Sequence, residues 1–344
     1  TSGVTFLASE GGEEDVRLRG FSLQGTGDVF VDGMRDPAFY ERDTFFFDRI
    51  EVLRGSASML FGRGSTGGAV NMVTKVPRLV QEHQVDVTVG SHGYVRAVGD
   101  FNILLAPGTA LRLGTMATEA ANNGAGSALS KSGVAANLAW GIGERHEFAL
   151  SAFHLDNDNP KMNYGMPYIR PTAASSVSET TLLPVSPAMY YGMASDRNAG
   201  SADTVGLAHT WRIARDEELV TQVRRGHYTR DQRASTIRFA AAAAQPGSAA
   251  AVLDTFGPDT VLTRGTQLKI QDLDTLYAQS DYAGKFSALG MRHNVQAGID
   301  LAHERKRVYG ARSAAQGGVV PVKATTVAGT PDDGAWVDES QRVL

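Results

Sequence analysis

Arginine and aromatic side chains are concentrated in one short stretch, residues 33–42, which reads Gly-Met-Arg-Asp-Pro-Ala-Phe-Tyr-Glu-Arg. Arg35, Phe39, Tyr40 and Arg42 bring positive charges and rings close together in the chain. Such a set can bind an anionic, aromatic ligand through ion pairing and ring stacking. The stretch follows an Asp-Gly turn and could equally form a packed loop, so both interpretations remain open at this point.

Motifs for catalysis or for a resident metal are weak elsewhere in the chain. The segment Gly62–Gly67 fits the G-x-G-x-x-G dinucleotide pattern, but residues 69–75 alternate like a strand where that motif needs a helix. The run Asp156–Asn159 resembles the start of a calcium loop and lacks the Gly and Glu that complete one. The eight histidines show no metal-ligand spacing, and no Ser-His-Asp order is recognisable. The sequence therefore predicts a protein that is not an enzyme and holds no cofactor.

Composition limits the class of protein further. The 344 residues are 42% hydrophobic and 20% charged, which is typical of a folded chain. A net charge of -4 gives no basic field for nucleic acid, so we expect no nucleic-acid partner. Cysteine is absent, which excludes disulfides and thiolate chemistry. No apolar run approaches the roughly 20 residues of a membrane-spanning helix, so a membrane protein would have to be a barrel.

The two halves of the chain follow different patterns, and we divide them at Pro77. Residues 1–77 contain short apolar runs ended by turn-forming residues, which predict a small mixed domain of short strands. Two short helices are predicted within it, one capped by Asp43 and one over Ser56–Phe61. Residues 78–344 instead alternate between apolar and polar side chains, the period of a β-strand.

About nine alternating strands are predicted in the second half, each near the roughly 9 to 11 residues that cross a bilayer at a barrel tilt. Short connections are predicted at 106–109, 141–145, 214–217 and 288–292, and long ones at 119–130, 157–199, 232–271 and beyond 308. The first connection, 90–93, is a short exception. Short turns on one rim and long loops on the other are typical of outer-membrane barrels. Aromatic residues expected at the short-turn rim are Phe101, Trp140, Trp211 and Phe286.

The alternation alone leaves a soluble β-sandwich or β-helix open, because those folds show the same period and similar turns. An odd number of strands cannot close as an antiparallel barrel, because the first and last strands would run parallel. The barrel interpretation therefore predicts further strands after Leu344. The first residues resemble the middle of a domain, which predicts further sequence before Thr1.

Five motifs follow one another in the first half. They are Arg17-Leu18-Arg19-Gly20-Phe21, Val29-Phe30-Val31-Asp32-Gly33, Asp48-Arg49-Ile50-Glu51-Val52-Leu53-Arg54-Gly55, Leu60-Phe61-Gly62 and Gly67-Gly68-Ala69-Val70-Asn71-Met72-Val73-Thr74-Lys75. This order resembles the plug domain of TonB-dependent outer-membrane receptors. The chain departs from that pattern at Ser56, where the family usually has proline, and at Phe61, where it usually has tyrosine.

The resemblance implies a membrane all-β fold. Residues 78–344 would form the N-terminal part of an antiparallel transmembrane β-barrel with long extracellular loops, and residues 1–77 the C-terminal part of a mixed α+β plug inside it. It also implies a monomer in the outer membrane of a Gram-negative bacterium, in contact with outer-membrane lipid.

The resemblance further implies two sets of site residues. The expected ligand-binding residues are Gln24, Thr26, Arg35, Phe39, Tyr40 and Arg42. The residues expected to lock the plug to the barrel are Arg19, Glu51 and Arg54, because an enclosed arginine needs a carboxylate partner. The alternative is that the two arginines are solvated in the lumen of the barrel.

The function implied is binding and import of a ferric siderophore, most consistent with the catecholate type, with no bond chemistry performed by the protein. Iron would be carried only within the siderophore, and the TonB complex would act through a segment that this sequence does not contain. A receptor for another cargo, such as a cobalamin or a glycan, and a surface adhesin barrel without transport are the alternatives.

Overall fold

The computed structural model describes residues 4–9, 13–23, 27–37, 40–55, 67–121, 128–159, 168–185, 196–309, 320–323 and 341–343. Within these ranges the strands form three sheets, two small ones in the first half and one large one in the second.

The first half of the chain contains the two small sheets. One is antiparallel and consists of β1 (Val4–Ser9), β2 (Glu13–Leu18) and β3 (Phe21–Ser22). The other has the order β5–β4–β7–β6 and consists of β4 (Val29–Val31), β5 (Met34–Arg35), β6 (Phe47–Arg54) and β7 (Gly68–Thr74). A cluster of buried apolar side chains from both sheets, Leu18, Leu23, Val29, Val70 and Met72, packs them together.

The turn between β4 and β5 is set by its sequence. Asp32 and Gly33 have φ angles of 51° and 76°, and positive φ at both central residues is the requirement of a type I′ turn. The Asp32 carboxylate accepts hydrogen bonds from the Thr74 backbone N–H and hydroxyl, both at 2.8 Å. Burial raises the pKa of the Asp32 carboxyl, and these two hydrogen bonds oppose the rise. The predicted Asp-Gly turn is confirmed, and β7 holds its tip.

The second half forms one antiparallel sheet of nine long strands in chain order, with two short strands added. The long strands are β8 (Glu82–Val89), β9 (Val95–Ala106), β10 (Thr109–Ala120), β11 (Leu129–Trp140), β12 (His146–Asn159), β13 (Arg197–Ala214), β14 (Glu217–Phe239), β15 (Val261–Ala288) and β16 (Met291–Tyr309). The short ones are β17 (Val320–Lys323), paired with β15, and β18 (Gln341–Val343), paired with β16. Single 3-10 turns lie at Ser91–Gly93, Ala242–Ala244, Pro246–Ser248 and Leu253–Thr255. The prediction of about nine strands is confirmed.

Connections between the long strands alternate in length as predicted, with one correction. The expected loop at 232–271 is largely strand, because β14 and β15 run for 23 and 28 residues and stay paired as far as Phe239 and Leu262. Ile237 and Leu262 are buried against Phe239 and Phe256, and this apolar cluster supports the extension. The alternation of apolar and polar residues along β14 and β15 gave no signal for such a cluster.

Side chains on the two faces of the large sheet meet different surroundings. One face carries Leu155, Ala202 and Tyr228, which are buried against residues of the first half. The opposite face carries Leu150 and Leu207, directly paired across β12 and β13 and 44% and 50% exposed. A soluble sandwich would bury its apolar face, so this arrangement favours the barrel interpretation.

Rings cluster toward the short-turn ends of the strands. The four residues predicted for this rim each contact a neighbouring ring, in the pairs Phe101–His83, Trp140–Phe148, Trp211–His146 and Phe286–His293. His209 links two of these pairs, because it stacks on Phe148 at 4.4 Å and on His146 at 5.3 Å between ring centroids. The three strands β11, β12 and β13 therefore share one continuous stack of rings.

The helix predicted at Asp43 is wrong. Asp43 Oδ1 accepts a hydrogen bond from the Phe45 backbone N–H at 2.9 Å, which makes a local turn instead, and β6 begins at Phe47. Phe45 and Phe46 point into the wall of the large sheet, while Phe47 packs into the cluster between the small sheets. Three adjacent aromatics cannot share one helical face, and the turn lets them diverge. The other predicted helix, Ser56–Phe61, lies outside the described residues.

The large sheet has a glycine where each of these two rings packs against it. A Cβ atom at Gly114 on β10 would lie 2.3 Å from Phe46 Cδ2, and one at Gly133 on β11 would lie 2.9 Å from Phe45 Cε1. Only glycine allows this approach. In the part of the chain that is described, no helix has both the length and the apolar character to cross a membrane.

Candidate functional site

The first half of the chain meets the inner face of the large sheet at a surface rich in ion pairs. The segment of residues 40–46, called here the linking segment, contacts the strands from β9 to β14. Arg96 on β9 donates two hydrogen bonds to the Asp43 carboxylate, at 2.6 Å and 2.9 Å, and a third to the Thr118 hydroxyl at 2.7 Å. This geometry is bidentate, and both charged side chains are largely buried.

A second ion pair lies further along the wall. Lys131 on β11 pairs with Glu41 at 2.6 Å, and the Lys131 side chain is only 9% exposed. The Asn159 and Asn198 side-chain amides approach the other Glu41 oxygen at 3.4 Å and 3.5 Å. Glu41 thereby connects the linking segment to three strands, β11, β12 and β13.

The chain that leaves β7 is fixed to the same wall. Lys75 Nζ pairs with Asp100 at 2.8 Å, and Arg112 pairs with the same carboxylate at 2.7 Å. The Asn137 side-chain amide donates to the Lys75 backbone carbonyl at 2.7 Å. A carboxylate shared by two cations is fully satisfied in such a half-buried position.

Arg224 on β14 holds the β4–β5 hairpin through its backbone. The guanidinium donates to the carbonyl oxygens of Val31 at 3.2 Å, of Met34 at 3.4 Å, and of Arg35. A guanidinium presents several donors in a fixed plane, so one side chain can satisfy several carbonyls of a hairpin end. The position of the hairpin tip therefore depends on a barrel residue.

Tyr40 and Arg42, two predicted ligand residues, are engaged in this surface. Tyr40 stacks on Tyr228 of β14 at 5.3 Å between ring centroids and donates its hydroxyl to Asp36 at 3.1 Å. Arg42 pairs with the same Asp36 carboxylate at 2.7 Å. Burial, and next the neighbouring Asp36 charge, raise the pKa of the Tyr40 hydroxyl well above its usual value. Tyr40 therefore acts as a hydrogen-bond donor and ring surface.

Arg35 is a predicted ligand residue whose side chain is partly accessible to solvent. Its guanidinium lies 3.1 Å from Glu304 Oε1 on β16, and the two side chains are 37% and 35% exposed. Tyr277 on β15 donates its hydroxyl to the same Glu304 oxygen at 2.6 Å. A cation partly open to solvent at the end of a rigid hairpin can bind an anion.

The other predicted site residues have different surroundings. Gln24, Thr26 and Phe39 lie outside the described residues. Arg19 and Arg54 have exposed side chains, and no ion pair connects either to an acidic residue in the described ranges.

Glu51 contacts residues of its own domain. It accepts hydrogen bonds from Arg49 at 2.8 Å and from Asn71 at 2.9 Å, and the Asn71 contact, followed by Arg49, lowers the pKa of its carboxyl. Because Asn71 Oδ1 also accepts from the Gly33 backbone N–H at 3.0 Å, Glu51 supports the hairpin tip. Locking of the plug by these three residues stays a prediction.

The residues that do join the two halves were missed at the sequence level. They are Asp43, Glu41 and Lys75 on one side and Arg96, Asp100, Lys131, Arg224 and Glu304 on the other. A signal existed for some of them, since Arg96 and Asp100 occupy the polar positions of an alternating strand. The pattern showed which face they occupy and not which partner they meet.

Among the residues that the structure describes, no group of three or more His, Asp or Glu side chains could hold a metal ion.

Comparisons with known proteins agree with this architecture. Residues 1–69 match the family model of the TonB-dependent Receptor Plug Domain. The probable TonB-dependent receptor BfrD of Bordetella pertussis strain Tohama I is 27% identical over 307 residues, which cover 88% of this chain and 39% of that protein. The catecholate siderophore receptor Fiu of Escherichia coli O157:H7 is 24% identical over 315 residues, covering 89% of this chain and 40% of Fiu.

Solved structures share the fold. The ferric-catecholate import receptor Fiu from E. coli K12, in its closed form, has a TM-score of 0.78 at 22% identity over 98% of this chain and 46% of that one. The pyoverdine outer membrane receptor FpvA of Pseudomonas aeruginosa PAO1 also has a TM-score of 0.78, at 16% identity, over 99% of this chain and 48% of that one. At these identities the structural likeness establishes the fold alone.

The chain spans about 40% of the length of the relatives described above. Three findings nevertheless point to one class of protein. They are the plug motifs, the family-model match over the first 69 residues and the common fold. Together they confirm the resemblance drawn from the motifs: residues 1–69 match the plug-domain family model, and the chain shares the fold of receptors in which plug strands precede the antiparallel strands of a barrel.

Proposed function

We propose that the complete receptor binds a ferric siderophore of the catecholate type at the outer membrane and imports it in a TonB-dependent way. The observation that carries the proposal is Arg35, a partly exposed guanidinium on a hairpin that Arg224 and Thr74 hold in place. Ferric catecholates are anionic and aromatic, so a guanidinium on a fixed hairpin offers both charge and a stacking surface.

The relatives support the cargo. Fiu is named a catecholate siderophore receptor and is similar to 89% of this chain. The plug apex and the inner wall near β16 would form part of the binding surface, and the protein would perform no bond chemistry. The outer membrane of a Gram-negative bacterium is the location that this proposal requires.

Cargo and energy dependence can be tested together in a strain that lacks its own ferric-chelate receptors. The full-length receptor is expressed with and without a working TonB complex, and uptake of radioactive iron is measured from a ferric catecholate and from a ferric hydroxamate. We expect TonB-dependent uptake from the catecholate in preference to the hydroxamate. Preference for the hydroxamate would refute the cargo, and binding without any TonB-dependent uptake would favour a surface adhesin.

The contribution of Arg35 to ligand binding is tested by an Arg35→Gln variant. We expect weaker binding of the ferric catecholate with unchanged amounts of folded receptor in the membrane. Arg49→Gln is the matched control, because Arg49 is also an exposed plug arginine paired with a carboxylate, at 2.8 Å from Glu51, but lies on β6. Equal binding by both variants would remove Arg35 from the site.

A further inference from the structure

The partner of Arg35 is a carboxylate contributed by the barrel, far away in the sequence. Glu304 lies on β16, 269 residues after Arg35, and their charged atoms are 3.1 Å apart. More than a third of the Arg35 side chain and about a third of the Glu304 side chain are exposed to solvent. An ion pair with this exposure contributes little to stability and can be exchanged for another anion.

Glu304 is held in position from the barrel side. The Tyr277 hydroxyl donates to the same Glu304 oxygen that faces Arg35, at 2.6 Å. Glu304 is paired with Thr275 across β15 and β16, so its backbone is part of the sheet. The carboxylate would therefore stay in place when the guanidinium turns away from it.

Arg35 is held at its backbone, and its guanidinium forms a partly exposed ion pair. Arg224 binds the Arg35 carbonyl oxygen, and the Arg224 guanidinium also lies over the Tyr277 ring, 5.9 Å from its centroid. The Arg35 guanidinium packs over Gly27, where a Cβ atom would come within 2.8 Å of it. The hairpin is thus fixed while the charged end of Arg35 can change partners.

We propose that Glu304 is an internal anion that occupies Arg35 in the ligand-free receptor and that a bound ligand must displace it. The inference rests on the proposed function, since it concerns the same arginine. Its consequence is selectivity by charge: a polyanionic ferric catecholate outcompetes one carboxylate for the guanidinium, whereas an uncharged ferric chelate does not. Glu304 would act as a specificity-determining residue and Tyr277 as its positioning residue.

The test compares two probes on the purified full-length receptor. The probes are the trianionic ferric complex of 2,3-dihydroxybenzoate and an uncharged ferric hydroxamate, each titrated by quenching of intrinsic fluorescence. Glu304→Gln keeps the shape and the acceptor for Tyr277 but removes the competing charge. We expect its affinity for the anionic complex to rise about three- to fivefold, the range that the loss of an exposed ion pair allows. Affinity for the uncharged chelate should not change.

Two further variants make the result specific. In an Arg35→Gln background the Glu304→Gln effect should vanish, because no guanidinium remains to be released. Glu217→Gln is the matched control, since Glu217 also accepts a hydrogen bond from a tyrosine, Tyr282 at 3.2 Å, on a neighbouring pair of strands. It should bind like the wild type.

The possible results separate the two proposals. Wild-type binding of the anionic complex with no gain in Glu304→Gln, or an equal gain for both probes, would overturn the role of Glu304 and leave the proposed function standing. A wild type that binds neither ferric complex would overturn the proposed function, and the role of Glu304 would fall with it.

Discussion

The ion pair between Asp43 and Arg96 should control how firmly the linking segment is held against the barrel wall. Their side chains are only 10% and 21% exposed, and two hydrogen bonds join them. The informative change is Asp43→Asn, because the Asn side-chain oxygen can still accept from the Phe45 backbone N–H and preserve the turn. The substitution removes the charge and leaves the local shape.

The magnitude follows from burial. Removing one partner of a fully buried pair costs about 3–5 kcal/mol, because the remaining charge is left without compensation. Arg96 keeps its bond to the Thr118 hydroxyl and is partly solvated, so the lower end, about 3 kcal/mol, applies here. Since each 1.4 kcal/mol is tenfold, opening of the linking segment should become roughly 150-fold more frequent.

Native-state hydrogen exchange of the full-length receptor measures this opening. The Phe47 amide, which donates to the Thr44 carbonyl at 3.1 Å, reports on it directly. Asp48→Asn serves as the control, because Asp48 is 58% exposed and its pairing with Arg49 should contribute nothing measurable. Equal protection in the two variants would refute the assignment of Asp43 as a main link between plug and barrel.

Two other predictions test the contact of Gly114 with Phe46 and the outer face of the barrel. Gly114→Ala should displace the Phe46 ring, lower the stability by about 1–3 kcal/mol and speed hydrogen exchange of the plug in the same assay. Gly257→Ala is the control and should have no effect, because no neighbouring atom lies within 4 Å of its Cβ. Leu207→Arg should destabilise folding into lipid vesicles by about 2–4 kcal/mol in a urea titration, because Leu207 is on the face that would meet lipid. Ser201→Arg changes a residue on the same face but nearer the long loops, so it should destabilise folding into vesicles less than Leu207→Arg. Equal destabilisation by the two variants would argue against a membrane boundary between Ser201 and Leu207.

Local sequence predicted the strands well because the side chains of a strand alternate between two faces. The nine long strands and their short turns follow from that period, and the β4–β5 turn follows from Asp32 and Gly33, whose backbone angles only a few residue types adopt readily. The helix predicted at Asp43 failed because Asp is equally suited to cap a helix and to close a turn. The outcome there depended on where the Phe45 and Phe46 rings could be buried.

The site was less predictable than the fold because its contacts join distant parts of the chain. Arg35 was expected to bind an anion, yet its partner Glu304 had no distinguishing feature in an alternating strand. Tyr40 and Arg42 were expected to face a ligand, and the structure pairs both of them with Asp36.

By itself the sequence predicted the class of protein, two halves with different residue patterns, and which residues of each strand share a face, since these depend on local pattern and on ordered motifs. Only the tertiary structure decided which face meets the plug and which charges form pairs. The reason is physical, because a charged side chain gains or loses stability according to the partner and the burial that it finds. Arg224 and Glu304 both find partners in the β4–β5 hairpin, 193 and 269 residues earlier in the chain.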